Sequence, residues 1–95
     1  MNYKLQFHEL ALKEWEKLDG TLREQFKKKL AERLIEPRVL ADALSGMPDC
    51  YRIKLRKIGY RLVYRVENDI LSVSVVAIGK RDKRKVYQTA QRRVN

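Results

Sequence analysis

Among 95 residues there is one histidine, His8, and one cysteine, Cys50. A lone cysteine excludes an intrachain disulfide and a cysteine-based zinc site. It reads most simply as a small buried residue, and a reducing cytoplasm is its simplest compartment. A lone histidine excludes paired-histidine chemistry, and the lack of a partner for it argues against serine–histidine chemistry. His8, at a strand-to-helix junction, reads as a capping or surface residue. No run approaches the roughly 18 apolar residues of a membrane span. The opening Met-Asn-Tyr-Lys-Leu-Gln-Phe lacks the apolar core and cleavage site of a signal peptide. Gly-rich phosphate loops are absent. The acidic residues are scattered without metal-ligand spacing, which argues against two-metal phosphodiester cleavage. No metal and no cofactor is expected.

Acid is scarce in one half only. Residues 1–49 hold 9 Lys/Arg against 9 Asp/Glu, whereas residues 50–95 hold 13 against 3, so the whole net charge of +10 lies in the second half. Such asymmetry suggests a scaffold followed by a surface for a polyanion, most often nucleic acid. An anionic membrane is a poorer match, because no basic stretch carries the Trp/Phe/Leu face of an interfacial helix. The length suits one small domain with one core, spanning residues 1–95.

Taken in order, Tyr3, Leu5 and Phe7 alternate with polar residues, as in a short strand. From about His8 the period becomes helical, with Leu10, Ala11, Trp15 and Leu18 on one stripe, and Gly20 supplies a stop. Thr21-Leu22-Arg23-Glu24 has the form of a capping box. It opens a second helix with Leu22, Phe26, Leu30 and Leu34 as its apolar stripe, ended before Pro37. A turn this short predicts an antiparallel helical hairpin. Lys27-Lys28-Lys29 falls on its polar side and reads as a solvated face. The connector 37–49 is irregular, with Leu40 and Leu44 expected on the core. Cys50–Tyr64 follows as two strands joined at Lys57-Ile58-Gly59. A turn at Glu67-Asn68-Asp69 leads to a third strand, Ile70–Gly79, whose weak alternation suits a central strand buried on both faces. Asp82 suits a helix N-cap, with Val86, Ala90 and Val94 on one stripe and Tyr87 about 100° away. The expected class is α+β: N-terminal strand, helical hairpin, three-stranded antiparallel meander and C-terminal helix, with the helices on one face of the sheet.

The central hairpin carries the chemistry. A period of two puts Tyr51, Ile53, Leu55, Leu62 and Tyr64 on opposite faces from Arg52, Lys54, Arg61 and Arg65. Like charges opposed across paired strands repel, and a polyanion would relieve that repulsion. With histidine and paired carboxylates missing, Arg, Lys and Tyr remain. They suit stabilisation of a phosphorane-like transition state: arginine presents a planar fork to phosphate, and a lysine among cations is readily made neutral enough to act as base. RNA supplies its own nucleophile in the 2′-OH, and tyrosine can stack on a base. The residues by themselves leave simple phosphate binding ahead of cleavage.

Gly46-Met47-Pro48-Asp49-Cys50-Tyr51-Arg52-Ile53-Lys54-Leu55-Arg56, then Gly59-Tyr60-Arg61-Leu62-Val63-Tyr64, then Gly79-Lys80-Arg81 and Tyr87, closely resemble the RelE toxins of bacterial toxin–antitoxin systems. The resemblance covers nearly the whole chain. It implies a ribosome-dependent endoribonuclease that cuts mRNA in the A site of the small subunit by 2′-OH attack, leaving a 2′,3′-cyclic phosphate. By the same resemblance Lys54 is the general base, Arg61 the transition-state stabiliser, Arg81 the general acid and Tyr87 the group that stacks and orients the nucleotide. Arg52, commonly lysine in this family, keeps phosphate contact but cannot serve as base. With Arg56, Arg65 and Lys80 it is expected to bind RNA. The implied partners are the ribosome, mRNA, a RelB-like antitoxin docking on the neutral first half, and operator DNA through the antitoxin complex. Two alternatives remain: a non-enzymatic ParE-like gyrase inhibitor, whose family generally lacks this Lys/Arg/Arg/Tyr set, and a plain nucleic-acid-binding module.

Overall fold

In the computed structural model of the protein, the described residues are 2–55, 57–80 and 84–94. Strand β1 (Lys4–Phe7) leads into helices α1 (Glu9–Lys17) and α2 (Gly20–Ile35). A single 3₁₀ turn (Leu40–Asp42) follows, then β2 (Cys50–Leu55), β3 (Tyr60–Glu67), β4 (Ser72–Lys80) and helix α3 (Lys85–Val94). The strands form one sheet in the order β1-β4-β3-β2. β2, β3 and β4 are the expected antiparallel meander, and β1 adds to β4 in parallel. Gly59, at φ +76, closes the β2–β3 hairpin, with its N–H donating to Leu55 O at 2.8 Å. A left-handed φ is where glycine costs least.

The α+β element order matches the sequence reading, but the helices do not share one face. Ala11, Leu18, Leu22, Phe26 and Leu30 of the α1–α2 hairpin pack on Tyr51, Ile53, Leu55, Leu62, Tyr64, Val73 and Val75. Trp15 and Phe26, ring centroids 6.5 Å apart, join the two helices. α3 packs on the opposite face, where Val86 and Ala90 meet Cys50, Val63, Val76 and Ala77, with Met47 beside them. The reason lies in β4: a strand apolar on both sides needs cover on both sides. A bulge sharpens this. Val63 pairs with Ala77 and Tyr64 with Val75, so Val76 is the extra residue. Val76 and Ala77 both join the α3 cluster, whereas strict alternation would separate them.

The bulge also anchors two helices. Glu14 Oε1 of α1 accepts the Ile78 N–H at 3.0 Å, while Arg93 Nη1 of α3 donates to Val76 O at 2.8 Å. Arg93 and Glu14 are joined by two further hydrogen bonds of 2.9 Å. β1 pairs with β4 no further than Val75, and these side chains satisfy the backbone groups of β4 beyond it.

Several local readings change. The cap of α2 is Asp19, whose Oδ1 accepts the Leu22 N–H at 2.9 Å, and Gly20 is the first helical residue. Aspartate caps as well as threonine, and starting the helix at Gly20 moves the capped amide from Glu24 back to Leu22. His8 does cap α1, its Nδ1 accepting the Leu10 N–H at 3.1 Å. Leu10 is exposed rather than core, and Leu40 is 84% exposed, so of the two connector leucines only Leu44 packs inward. Ile70 and Leu71 lie in the turn, with β4 starting at Ser72. The solvated reading of Lys27–Lys29 stands: all three are exposed, with Lys27 paired to Glu24 at 3.6 Å. Asp82, expected as a cap, lies outside the described residues.

Candidate active site

The ladder between β2 and β3 places Lys54 directly opposite Arg61, with Arg52 opposite Val63 and Cys50 opposite Arg65. Arg61 in turn pairs with Gly79 on β4, which adds no side chain to that row. Two cations therefore face each other at the ladder spacing, an arrangement that costs stability unless an anion is expected there. Arg61 is nonetheless 5% exposed, and its Nη1 donates to Tyr60 O at 3.0 Å.

Above this row α3 and the connector close a cleft of about 440 Å³, lined by Ala43, Leu44, Ser45, Arg52, Lys54, Arg61, Arg84 and Tyr87. Four expected site residues thus converge: Arg52, Lys54, Arg61 and Tyr87. The Val86/Ala90 stripe is buried against the sheet, and Tyr87, next along the helix, is turned by about 100° and lies half-buried at the cleft. Neither an acid nor a histidine lines this cleft among the described residues. Nor does any group of three His, Cys, Asp or Glu side chains among them suit a metal ion.

Arg65 and Lys80 lie elsewhere. Arg65 shares the face but is four residues further along β3, roughly 13 Å by strand rise. It borders depressions formed with Asp49 and with the 46–48 turn. Lys80 is exposed beside a separate hollow near Glu14, Lys85 and Thr89. Arg56 and Arg81 lie outside the described residues.

Three contributors were missed. Arg84 holds its guanidinium 5.9 Å from the Tyr87 ring centroid, at cation–π range. Its i, i+3 spacing to Tyr87 was the available signal. Arg33 and Asp42 form the other addition, at the outer edge of β2. Arg33 Nη1 donates to Tyr64 Oη at 2.8 Å and to Arg52 O at 3.2 Å, and Nη2 to Asp42 Oδ2 at 2.7 Å. Tyr64 Oη donates to Pro37 O at 2.6 Å. Burial opposes the Arg33 charge, but its contacts with Tyr64 and Asp42 outweigh this and hold its pKa above the ordinary value. Asp42 Oδ1 also faces Arg52 Nε at 3.6 Å. Helical spacing puts Arg33 on the inward stripe of α2, seven residues after Phe26, but names none of its partners, and Asp42 lies in an irregular connector.

Known proteins share this architecture. A model of the ParE toxin of type II toxin–antitoxin systems (parDE) matches residues 5–84. The chain is 55% identical over 94 residues to the mRNA interferase toxin RelE of Escherichia coli strain K12, covering 99% of each chain. The free-state structure of an E. coli RelE arginine mutant matches with a TM-score of 0.92 and 54% identity, covering 100% of both chains. A chain of the intact E. coli RelBE toxin–antitoxin complex matches with a TM-score of 0.82 and 57% identity, over 85% of this chain and 99% of that one. The fold that carries the cationic cleft is thus a toxin fold, and the chain belongs to the ParE toxin family of type II toxin–antitoxin systems, with the RelE toxins among its near relatives.

Proposed function

We propose that the protein is a toxin that cleaves mRNA in the ribosomal A site, using the bound RNA's own 2′-OH. The observation that carries this reading is the Lys54–Arg61 pair facing each other at the floor of a cleft completed by Arg52 and Tyr87. The near relative's name, mRNA interferase, supports the substrate class. Lys54 takes the proton from the 2′-OH as the oxygen attacks phosphorus. The bond from phosphorus to the 5′ oxygen breaks, leaving a 2′,3′-cyclic phosphate and a 5′-OH that receives a proton from Arg81. Arg61 neutralises charge that develops on the phosphoryl oxygens, Arg52 grips phosphate, and Tyr87 stacks on the nucleotide to hold the attack in line. Arg56 supplies further phosphate contact, with Arg65 and Lys80 on outlying surfaces.

In this reading the ribosome places the 2′-OH, so naked RNA is a poor substrate, and the site of action is the cytoplasm. A RelB-like antitoxin would restrain the toxin, and their complex would bind operator DNA through the antitoxin.

Primer extension on translating ribosomes tests the proposal. Wild-type protein is expected to give A-site cuts, and Arg81→Ala to be slower by about 10²–10³. Intact mRNA on intact translation complexes would overturn it. The family match to ParE toxins makes gyrase the second target to assay. Accumulation of gyrase–DNA cleavage complexes with uncut mRNA would replace one reading with the other.

A further inference from the structure

Asp42 stands between two guanidinium groups. Arg33 holds one carboxylate oxygen at 2.7 Å, and the other faces Arg52 Nε at 3.6 Å. The Arg33 and Asp42 side chains are only 13% and 18% exposed. The carboxylate's position is set from several sides. Arg33 is tied to the Tyr64 hydroxyl and to the Arg52 carbonyl, and fully buried Tyr64 is itself tied to Pro37 O. The connector that bears Asp42 pairs with the sheet edge through Ala43 and Tyr51, and Leu44 N–H donates to Cys50 O at 3.0 Å. Against this fixed anion lies a buried Arg52 Nε that lacks a hydrogen-bond partner. The same Arg52 lines the cationic cleft.

We propose that Asp42, anchored by Arg33, is a positioning residue that fixes the Arg52 guanidinium on the cleft wall, presenting its outer fork to a phosphate of the bound RNA. The inference rests on the RNA-cleavage reading for its consequence but not for its geometry. A lysine at position 52 would lack the Nε that Asp42 faces, and its four-carbon stem would leave a mobile point charge. An arginine fixed along one side keeps the rest of its planar fork for phosphate. The sign of the effect is diagnostic. A carboxylate beside a phosphate site repels substrate, so removing its charge should favour binding by simple electrostatics. A loss of activity on removing it must therefore come through Arg52.

The experiment combines two measurements on the full chain. Asp42→Asn keeps an oxygen for Arg33 but loses the charge beside a buried guanidinium, so the thermal midpoint should fall, and both measurements are made well below the variant's own midpoint, where it is folded. In a nitrogen-edited NMR spectrum the Arg52 Nε–H signal, sharp and protected in the wild type, should broaden in Asp42→Asn while that of Arg33 persists. An unchanged Arg52 signal overturns the proposal whether or not the protein cleaves RNA. On programmed ribosomes Asp42→Asn should lower kcat/KM about tenfold, the scale of coupling between contacting residues. In an Arg52→Ala background the same change should be neutral or mildly activating. An equal loss in both backgrounds assigns Asp42 to the scaffold alone and overturns the inference. If the wild type cuts no mRNA while the Arg52 signal responds as expected, the cleavage reading fails and the positioning geometry stands.

Discussion

The two faces of the sheet are built from alternate residues of the same strands, yet they are governed by different requirements. The α1–α2 face carries Tyr51, Ile53, Leu62 and Tyr64 under Phe26 and Leu30, all buried. The α3 face has small apolar cover at one region, Val63, Val76 and Ala77 under Val86 and Ala90, and gives the rest to Arg52, Lys54, Arg61 and Tyr87. One face converts apolar area into stability, at roughly 25 cal/mol for each Å² removed from water. The other holds cations together and gives up stability to do so. Substitutions one residue apart on β3 should therefore act on different observables.

The largest effect is expected on the packed face. Phe26→Ala, at a site with no exposure and Trp15 and the sheet around it, should cost about 3–5 kcal/mol, read as a shift in the urea midpoint. Any loss of cleavage should follow the unfolded fraction. Arg61→Ala should do the reverse, slowing cleavage by about 10²–10³ while the urea midpoint holds or rises, since the opposition to Lys54 is removed. A clear loss of stability in Arg61→Ala would erase the distinction drawn between the faces.

A smaller effect concerns pH. Burial raises the Cys50 thiol above its ordinary value of 9.0, so the folded state keeps a proton that the unfolded chain gives up. The associated stability is complete below about pH 9 and falls as pH rises through the folded value. Tyr64, raised chiefly by burial from 10.0, adds a loss of the same sign at higher pH. Unfolding free energy should decline from about pH 9 upward, and Cys50→Ala should flatten the first part of that decline.

What the sequence disclosed and what it withheld divide by range. The period of two through Cys50–Tyr64, with Gly59 at the bend, was enough to put Lys54 and Arg61 on one face of a hairpin, because alternation and turn position are local properties. The Leu22/Phe26/Leu30 stripe was equally local. Arg65 obeyed the same period and shares the face, but it lies four residues beyond Arg61, roughly 13 Å by strand rise, and so falls outside the cleft lining. The position of α3 required global accounting: β4 read as buried on both sides, which already demanded a helix on each. The pairing of Asp42 with Arg33 was invisible, as their bonds join α2, an irregular connector and two strands.

The central place of β4 has a consequence for the order in which the toxin comes into being. β4 is the last strand in the chain, yet it pairs with both β1 and β3. Chains emerge from the ribosome N-terminus first, so β1 and the β2–β3 hairpin stand on opposite sides of a gap until residues 72–80 arrive. Contacts of such long sequence separation form slowly. Tyr87 comes later still. The Lys54–Arg61 pair can form as soon as the β2–β3 hairpin does, but the cleft above it waits for β4 to close the sheet and for Tyr87 to arrive, so a chain released before that point carries the cations without the site.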